Sequence, residues 1–156
     1  MVTRHGRWTV TTATTSEEAT WRRLYRADGE EAGYVVSDEH LSRVWSWIMR
    51  SEGQTRCVLL RSGTESEPVG LAHYRPFERP ITGSIGCYVD DLYVEPLQRG
   101  HGGARTLLEH LGGLAGASGW TTVRWTTKPS NPAQSLYDAV ATRNPVITFD
   151  MDPRTD

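Results

Sequence analysis

A cluster of glycines between a strand-like run and a helix-like run constrains this chain more than any other feature. Gly100, Gly102 and Gly103 follow an apolar, β-rich stretch, and the apolar spacing that begins at Ala104 predicts a helix. Glycine permits backbone conformations that other residues avoid, and the first N–H groups of the helix point back at the turn. Partial positive charge at that helix end, reinforced by Arg99, favours an anion. The stretch therefore predicts a cradle for a phosphate or pyrophosphate.

Two common phosphate motifs do not fit this stretch. No Gly-Lys-Ser/Thr follows the glycines, and the dinucleotide fingerprint G-x-G-x-x-G fails because the sixth position is Arg105. The pattern Arg99-x-x-Gly102-x-Ala104, preceded by Asp-Leu-Tyr-Val, resembles the signature of the GCN5-related N-acetyltransferases, whose turn binds the pyrophosphate of acetyl-CoA. The cofactor contacts implied by this resemblance are Leu92, Tyr93, Val94, Arg99, Gly100, His101, Gly102, Gly103, Ala104 and Asn131.

Length, charge and cysteine content narrow the possible partners. With 156 residues the chain is predicted to form one domain, residues 1–156. The formal net charge of -2 shows no basic excess, which disfavours nucleic acid as a partner. Cys57 and Cys87 lack C-x-x-C spacing and are expected to be buried thiols, and no metal-binding constellation is visible. No apolar run approaches the ~18 residues of a membrane span, and no signal peptide is visible, so we expect a cytoplasmic protein.

The alternation of β-branched and helix-periodic segments predicts six strands and four helices. The strands are predicted at 8–14, 56–61, 69–75, 84–94, 120–127 and 145–151. Helices are predicted after a capping box at Thr15 and Glu18, from Ser37, from Ala104 and from Asn131. The order β-α-α-β-β-β-α-β-α-β is that of the acetyltransferase family. The resemblance thus implies an α/β (α+β) fold, with a mixed, mostly antiparallel central sheet flanked by about four helices.

Two segments are candidates for the acceptor side. In the second helix an apolar stripe indicates core packing, and the alternative is that Trp45 or Trp47 lines an acceptor pocket. That stripe consists of Leu41, Val44, Trp45, Ile48 and Met49. Residues 76–83, with two prolines and a glycine, are predicted to form an exposed loop, which the resemblance places near the acceptor entrance.

In the third helix, Gly112, Gly113 and Gly116 predict fraying or close packing.

Tyr137 is the candidate general acid. It follows Asn131 by six residues, in a segment that resembles the family's Asn-x-x-Ala-x-x-x-Tyr pattern. The resemblance implies that the tyrosine hydroxyl reaches the coenzyme sulfur and that the asparagine touches the pantetheine. A phenol of reference pKa about 10 is protonated at pH 7 and can supply a proton to a thiolate. The alternatives are a core tyrosine and an asparagine that only caps a helix.

Asp90 is the candidate base. It occupies the position where diamine-type relatives carry a glutamate that takes the amine proton through water, and aspartate is one methylene shorter. Free water is the alternative base. Asp91 is expected on the opposite side of the strand because side chains alternate, so at most one of the two carboxylates would face the acceptor. His40, His73 and His110 are not expected to take part in catalysis.

The resemblance predicts an acetyl-CoA-dependent N-acetyltransferase that uses no metal and acts on a primary amine of a small molecule, by direct transfer in a ternary complex. The small diamine and Hpa-like amine acetyltransferases resemble the chain most. Glu78, Asp90, Asp91 and Glu95 favour a cationic acceptor. The alternatives are a protein N-acetyltransferase and a non-catalytic acyl-CoA-binding regulatory domain. Since the chain lacks the family's usual ending, a homodimer with C-terminal segments completing the sheet is expected.

Overall fold

The computed structural model describes residues 2–64 and 66–154. They form six strands and four α-helices. In chain order these are β1 (Thr3–His5), β2 (Trp8–Thr12), α1 (Glu18–Glu31), α2 (Asp38–Met49), β3 (Arg56–Ser62), β4 (Pro68–Arg79), β5 (Ser84–Val94), α3 (Gly103–Ala117), β6 (Val123–Arg124) and α4 (Gln134–Val140). The chain divides into two compact units, one ending at Thr126 and the other beginning at Thr127.

The first unit is built on a mixed sheet in which the strands follow one another in chain order. All neighbouring strands are antiparallel except β5 and β6, which are parallel. Side chains alternate across the sheet: along β3, Val58 and Leu60 join the core under α3, whereas Cys57 and Leu59 join the core under α1 and α2. The predicted mixed, mostly antiparallel sheet with four helices is confirmed.

The end of the chain differs from the prediction. Residues 145–151 form no strand, so the predicted terminal strand is wrong, and the sheet gains its sixth strand at the other end as β1. Val146, Ile147, Phe149 and Met151 are exposed. A β-branched segment becomes a strand only where a neighbour accepts its backbone hydrogen bonds, and sequence composition does not reveal whether that neighbour exists.

The capping box at the first helix lies one residue earlier than predicted. The Glu17 carboxylate accepts hydrogen bonds from the backbone N–H (2.7 Å) and hydroxyl (2.9 Å) of Thr14. It also pairs with the largely buried guanidinium of Arg61 on β3. Because this ion pair fixes Glu17 against the sheet, Thr14 rather than Thr15 precedes the first helical turn, and β2 ends at Thr12.

The predicted loop at 76–83 is mostly strand, which corrects that prediction. β4 continues to Arg79, and only Pro80–Thr82 and Gly83 form the turn into β5. Pro76 is tolerated because β3 begins at Arg56, opposite Tyr74, so β4 is an edge strand beyond that point and needs no further N–H donor on that side. The hairpin formed by β4 and β5 therefore extends past the start of β3, and β6 pairs with its β5 side.

The core contains the predicted apolar residues. Leu41, Val44 and Trp45 of α2 are buried, and Trp45 packs on Trp21 with ring centroids 5.0 Å apart. Trp47 is 39% exposed, so of the two predicted pocket tryptophans it is the one that faces solvent. Both cysteines are free and buried, as predicted.

Two other elements differ in extent from the prediction. The helix α3 continues to Ala117 without fraying, and a Cβ at Gly112 or Gly116 would meet open space. The strand predicted at 120–127 is reduced to Val123–Arg124. No helix among the described residues is long and apolar enough to cross a membrane.

Candidate active site

The glycine-rich turn joins β5 to α3 as predicted. After a short 3-10 turn at Pro96–Gln98, Gly100 and Gly102 adopt φ values of 79° and 85°, which favour glycine. Helix α3 begins at Gly103, and its first backbone bond runs from Thr106 N–H to Gly102 O (2.9 Å). Helix geometry therefore leaves the N–H groups at the start of α3 without an intrahelical acceptor, so they are available to an anion.

Trp8 supports this turn from β2, a role that the sequence did not reveal. Its indole Nε1–H donates to the backbone oxygen of His101 (2.7 Å). A Cβ at Gly103 would lie 2.7 Å from Cδ2 of Leu60 and about as close to the indole as van der Waals contact allows. A side chain at the third glycine would thus displace Leu60 in the core, whereas Gly102 is favoured by its backbone conformation. His101 itself is exposed, and Ala104 is half-buried.

Arg99 braces the turn rather than extending into it. Its Nε donates to Val94 O (2.8 Å), its Nη2 donates to Glu31 of α1 (2.7 Å), and its guanidinium lies 5.6 Å from the ring centre of buried Tyr93. The hydrogen bond with Glu31 raises the pKa of Arg99. A direct role of this side chain as an anion ligand stays a prediction. Arg7, which donates to Gln98 (3.0 Å), brings a second cation beside the turn.

One edge of β5 is open beside the turn. The N–H of Glu95 donates to a carbonyl of β4 (2.9 Å), and peptide groups alternate in direction along a strand. The backbone groups of Leu92 and Val94 therefore point away from β4. Among the described residues, β6 pairs with β5 only at Cys87 and Tyr88. Beyond Tyr88 this edge therefore offers the backbone groups of Leu92 and the N–H of Val94 to an extended ligand arm, while Val94 O already accepts from Arg99.

A β-bulge interrupts β5 at its two consecutive aspartates. His73 lies opposite Asp91, while the next residue on β4, Tyr74, lies opposite Val89. Asp90 is therefore the extra residue of the bulge. The bulge shifts the alternation of side chains, so that Val89 faces the core under α3 whereas Asp91 shares a face with Tyr93 under α1 and α2.

Both aspartates therefore face the side of α1 and α2. The prediction that Asp91 faces away from Asp90 is wrong, because alternation across a strand holds only where the pleat is continuous. Both carboxylates also raise the pKa of Tyr25 on α1, after burial as the largest cause. The bulge thus presents two carboxylates to one site where sequence reasoning expected one.

The two carboxylates have different partners. Asp90 is exposed and pairs with Arg75, whose Nε lies 3.1 Å from Oδ2. Burial raises the pKa of Asp90, and Arg75 opposes that rise. In Asp91, by contrast, Oδ2 lies 2.8 Å from Nδ1 of His73. The other nitrogen of that buried imidazole, Nε2, accepts a hydrogen bond from the Trp21 indole (2.8 Å). This buried chain of side chains was not predicted from the sequence.

Asp28 adds a third carboxylate to this site. Burial, with a smaller contribution from nearby Asp91, raises its pKa to about 6. Burial thus makes the ionised form of Asp28 unfavourable. A cationic ligand near α1 and β5 would favour that form.

We expect Asp28→Asn to stabilise the fold at neutral and higher pH. Because the folded pKa lies above the ordinary 3.8, the folded state binds the proton more tightly, and its stability falls as pH rises from 3.8 to about 6. Allowing for solvent screening, removal of this charge should raise Tm by roughly 3 °C at pH 8 and leave it unchanged at pH 3.5. Calorimetric melts at the two pH values measure this.

The matched control for that prediction is Glu30→Gln, which removes a carboxylate two residues later on the exposed face of α1. An exposed charge should change the free energy of unfolding by less than about 0.5 kcal/mol at either pH. Equal stabilisation by both variants would show that only net charge matters and would contradict a local effect at Asp28.

The second unit holds Asn131 and Tyr137. Asn131 Oδ1 accepts from Ala133 N–H (2.9 Å), and its Nδ2 donates to Thr127 Oγ1 (2.8 Å), so this side chain organises the turn before α4. Burial raises the pKa of Tyr137, and a hydrogen bond with Asn131 lowers it. The net rise keeps the phenol protonated at neutral pH. Asn131 therefore caps the turn and contacts the candidate acid.

The profile of the Acetyltransferase (GNAT) family matches residues 21–140. The chain therefore belongs to this family and is an acetyltransferase of the GNAT type, a family that uses acetyl-CoA. Among the described residues, no group of His, Cys, Asp or Glu is arranged to hold a metal ion. No curated protein matches the chain.

Solved structures share this fold at low sequence identity. A probable acetyltransferase is 19% identical with a TM-score of 0.81, over 94% of this chain and 98% of that chain. The aminoglycoside N-acetyltransferase AAC(6')-Iy, in complex with a CoA-based bisubstrate analogue, is 15% identical with a TM-score of 0.79, over 97% and 100%. A ribosomal-protein-alanine N-acetyltransferase from Brucella melitensis biovar Abortus 2308 is 16% identical with a TM-score of 0.74, over 93% and 98%.

Proposed function

We propose that this acetyltransferase moves an acetyl group from acetyl-CoA to a primary amine of a small, cationic molecule, directly in a ternary complex. The observation that carries the proposal is the bulge in β5. It places two carboxylates on one face of the strand, while the open edge of the same strand leads to the glycine turn. An amine and an extended acyl donor can therefore meet at one strand, which direct transfer requires.

The residues present fit the coenzyme. The N–H groups at the start of α3 and the positive φ at Gly100 and Gly102 suit its pyrophosphate, and the backbone groups of Leu92 and Val94 suit the amides of its pantetheine arm. Acetyl-CoA supplies the acetyl group as a thioester when it is bound. Since the helix N–H groups recognise the pyrophosphate through the backbone, the cradle does not depend on the Arg99 side chain.

The remaining residues move protons. The acceptor arrives as an ammonium ion and gives one proton to a carboxylate of the bulge, where the resemblance places Asp90 and the structure adds Asp91. As the new C–N bond forms and the C–S bond breaks, the Tyr137 hydroxyl donates its proton to the thiolate. The second proton of the nitrogen restores the tyrosine hydroxyl, and the carboxylate releases its proton to water. One proton is released in each turnover.

The charge near the bulge supports a cationic small molecule as the acceptor. In addition to burial, Asp91 raises the pKa of both Asp28 and Asp90, and all three carboxylates raise the pKa of Tyr25 on α1. Such a site favours an ammonium group over a neutral or acidic acceptor. Aminoglycosides and diamines have this character. A protein N-terminus is the second candidate, since the Brucella neighbour is named for a ribosomal protein.

A panel of acceptors tests this proposal. We expect wild-type protein to release free thiol from acetyl-CoA with one or more diamines or aminoglycosides, at kcat/KM at least about 10²-fold above that for acidic amino acids. Thiol release that needs no amine would contradict the transferase function and favour a thioesterase. Coenzyme binding without thiol release would favour the regulatory alternative, and turnover only with peptide amines would favour a protein acceptor.

We further propose that the enzyme is a homodimer. Residues 145–151 expose three bulky apolar side chains and a methionine, and they have strand propensity without a strand partner among the described residues. Pairing of this segment with a second copy would bury that surface. Sedimentation equilibrium of the full chain measures the oligomeric state, and a monomer at micromolar concentration would contradict the proposal.

A further inference from the structure

His73 is an unusual residue for the core of this protein. Its side chain is 1% exposed, on the middle of β4, among apolar and aromatic neighbours of α1 and α2. The ring of Tyr25 stands edge-on to it at 4.7 Å, and that of Trp21 lies at 5.8 Å. Leu71, two residues earlier on the same face, is apolar. An imidazole here requires two hydrogen bonds to offset the cost of burial.

The partners of the ring define its tautomer. The Trp21 indole nitrogen can only donate, so its 2.8 Å bond to Nε2 requires a lone pair on that atom. The proton of the neutral ring then lies on Nδ1 and is donated to Asp91 Oδ2, also at 2.8 Å. Although burial lowers the pKa of His73, Cys57 and Asp91 raise it to about 10, so these groups favour an imidazolium, whereas the Trp21 contact opposes it. Since an imidazolium would set two N–H groups against each other at Trp21, the contact selects the neutral ring.

This arrangement separates the roles of the two aspartates. The Asp91 side chain is 32% exposed, so it is held by the core at one oxygen and reaches solvent at the surface of the bulge. The Asp90 side chain is equally exposed, at 34%, but a cation already neutralises it, because Arg75 Nε lies within 3.3 Å of both oxygens. A proton acceptor needs a carboxylate that is ionised, fixed in direction and without a competing cation. Asp91 meets these conditions better than Asp90.

We infer that His73, locked by Trp21, is a positioning residue that fixes the Asp91 carboxylate through a hydrogen bond and directs it towards the acceptor amine, so that Asp91 rather than Asp90 takes the ammonium proton. The inference rests on the proposed function. In the step itself, the N–H bond of the ammonium breaks and an O–H bond forms on Asp91. Nδ1–H remains on His73 throughout and donates to the carboxylate.

Several other charged or titratable groups lie around the hydrogen-bonded residues Trp21, His73 and Asp91. These groups contribute to the pH dependence of the proposed proton transfer. They are Tyr25 and Asp28 on α1, Cys57 on β3, Arg75 on β4 and Asp90 on β5. Of these, Arg75 bonds to Asp90 rather than to Asp91. The direct hydrogen bond from His73 is therefore the contact whose removal should affect the Asp91 carboxylate most.

The paired variants Asp91→Asn and Asp90→Asn test which carboxylate accepts the proton. We expect Asp91→Asn to lower kcat/KM for the best amine by about 10²-fold, as loss of a general base does. Asp90→Asn removes a carboxylate of the same site that already pairs with Arg75, so kcat/KM should fall at least about tenfold less than in Asp91→Asn. Asparagine has nearly the same shape as aspartate, so each substitution removes the charge and leaves the packing unchanged. Turnover that survives Asp91→Asn but is lost in Asp90→Asn would overturn the inference.

His73→Gln and His73→Leu test the positioning role. Glutamine can accept from Trp21 and donate to Asp91 but does not titrate, so we expect kcat/KM within about fivefold of wild type. Leucine keeps the core apolar and removes the donor, so kcat should fall by about 10-fold to 10²-fold with KM little changed. The acidic limb of the kcat/KM profile should move to higher pH by about one unit. An unmoved limb in the folded leucine variant would overturn the positioning role.

A spectroscopic measurement addresses the arrangement without turnover. The 15N chemical shifts of His73 at pH 7 should show a neutral ring protonated at Nδ1, with that proton perturbed in Asp91→Asn and in the milder variant Trp21→Phe. A ring protonated at Nε2, or an imidazolium, would overturn the inference even if the leucine variant fails to fold. A wild-type protein that turns over no amine would instead overturn the proposed function itself, which is a distinct result.

Discussion

Gly102→Glu is expected to weaken the binding of acetyl-CoA by at least about 10²-fold while the protein remains folded. Gly102 has φ of 85° at the residue before α3, and a side chain in this left-handed region costs roughly 1–2 kcal/mol. The added carboxylate would also stand at the N-terminus of the helix, where the pyrophosphate is proposed to bind. The free turn of the variant can relax from this conformation, so restoring it on binding costs the same free energy. Because 1.4 kcal/mol corresponds to tenfold in affinity, this cost and the repulsion together reach the stated loss. Isothermal titration of acetyl-CoA measures it.

Gly112→Glu is the matched control for this variant. It introduces the same charge into the same helix, where a Cβ meets open space, and it lies about three turns from the cradle. Its acetyl-CoA affinity should remain within about twofold of wild type, and Gly102→Ala should show the strain without the charge. Circular dichroism shows whether the Gly102→Glu variant is folded. If the folded variant binds acetyl-CoA with unchanged affinity, the pyrophosphate binds elsewhere, and the proposed cofactor site has no basis.

The cradle could be predicted from sequence because its physics is local. Three glycines, an arginine and the start of an apolar helix stand within six residues, so their relation follows from chain geometry alone. The apolar stripe of α2 was predictable for the same reason, since helical spacing places Leu41, Val44 and Trp45 on one face. The sequence did not reveal which distant residue contacts each of these local elements. One example is Trp8, whose indole donates a hydrogen bond to the backbone oxygen of His101.

The face of the sheet on which Asp91 lies could not be predicted, because it depends on the register between β4 and β5. One extra residue opposite His73 and Tyr74 reverses the face of every later side chain on β5, so Asp91 moves to the same side as Asp90. Neither aspartate carries a local signal for a bulge. His73 carries no signal in the sequence for a related reason, since its partners Trp21 and Asp91 are 52 and 18 residues away from it.

The ends of the sheet show the same limit. Composition at 145–151 favours a strand, yet no strand forms, while Thr3–His5 forms one by pairing with β2. Pro76 suggested a loop, yet β4 passes through it where β3 no longer runs alongside. In each case the deciding quantity is whether a neighbouring strand offers hydrogen bonds, which is a property of the assembled sheet.

Tyr137→Phe is expected to lower kcat by about 10²-fold with the affinity for acetyl-CoA unchanged within about twofold. The substitution removes only the hydroxyl, which we propose protonates the leaving thiolate, and general acids contribute roughly 10²-fold to 10⁴-fold. The pKa of Tyr137 is raised, chiefly by burial, so the phenol holds its proton across the neutral range. Activity that depends on it should therefore decline only above the ordinary range for tyrosine. Steady-state thiol release as a function of pH, with calorimetric binding, measures both quantities.

Tyr34→Phe is the matched control, because it removes a tyrosine hydroxyl from an exposed turn between α1 and α2, where the side chain is 69% exposed. It should leave kcat unchanged. An acid that acts on the leaving group affects kcat and not the binding of the donor, so a loss confined to KM would indicate a positioning role for the hydroxyl instead. Wild-type kcat in Tyr137→Phe would assign the proton of the thiol to water, and the acceptor carboxylate would then be the single essential proton carrier of the protein.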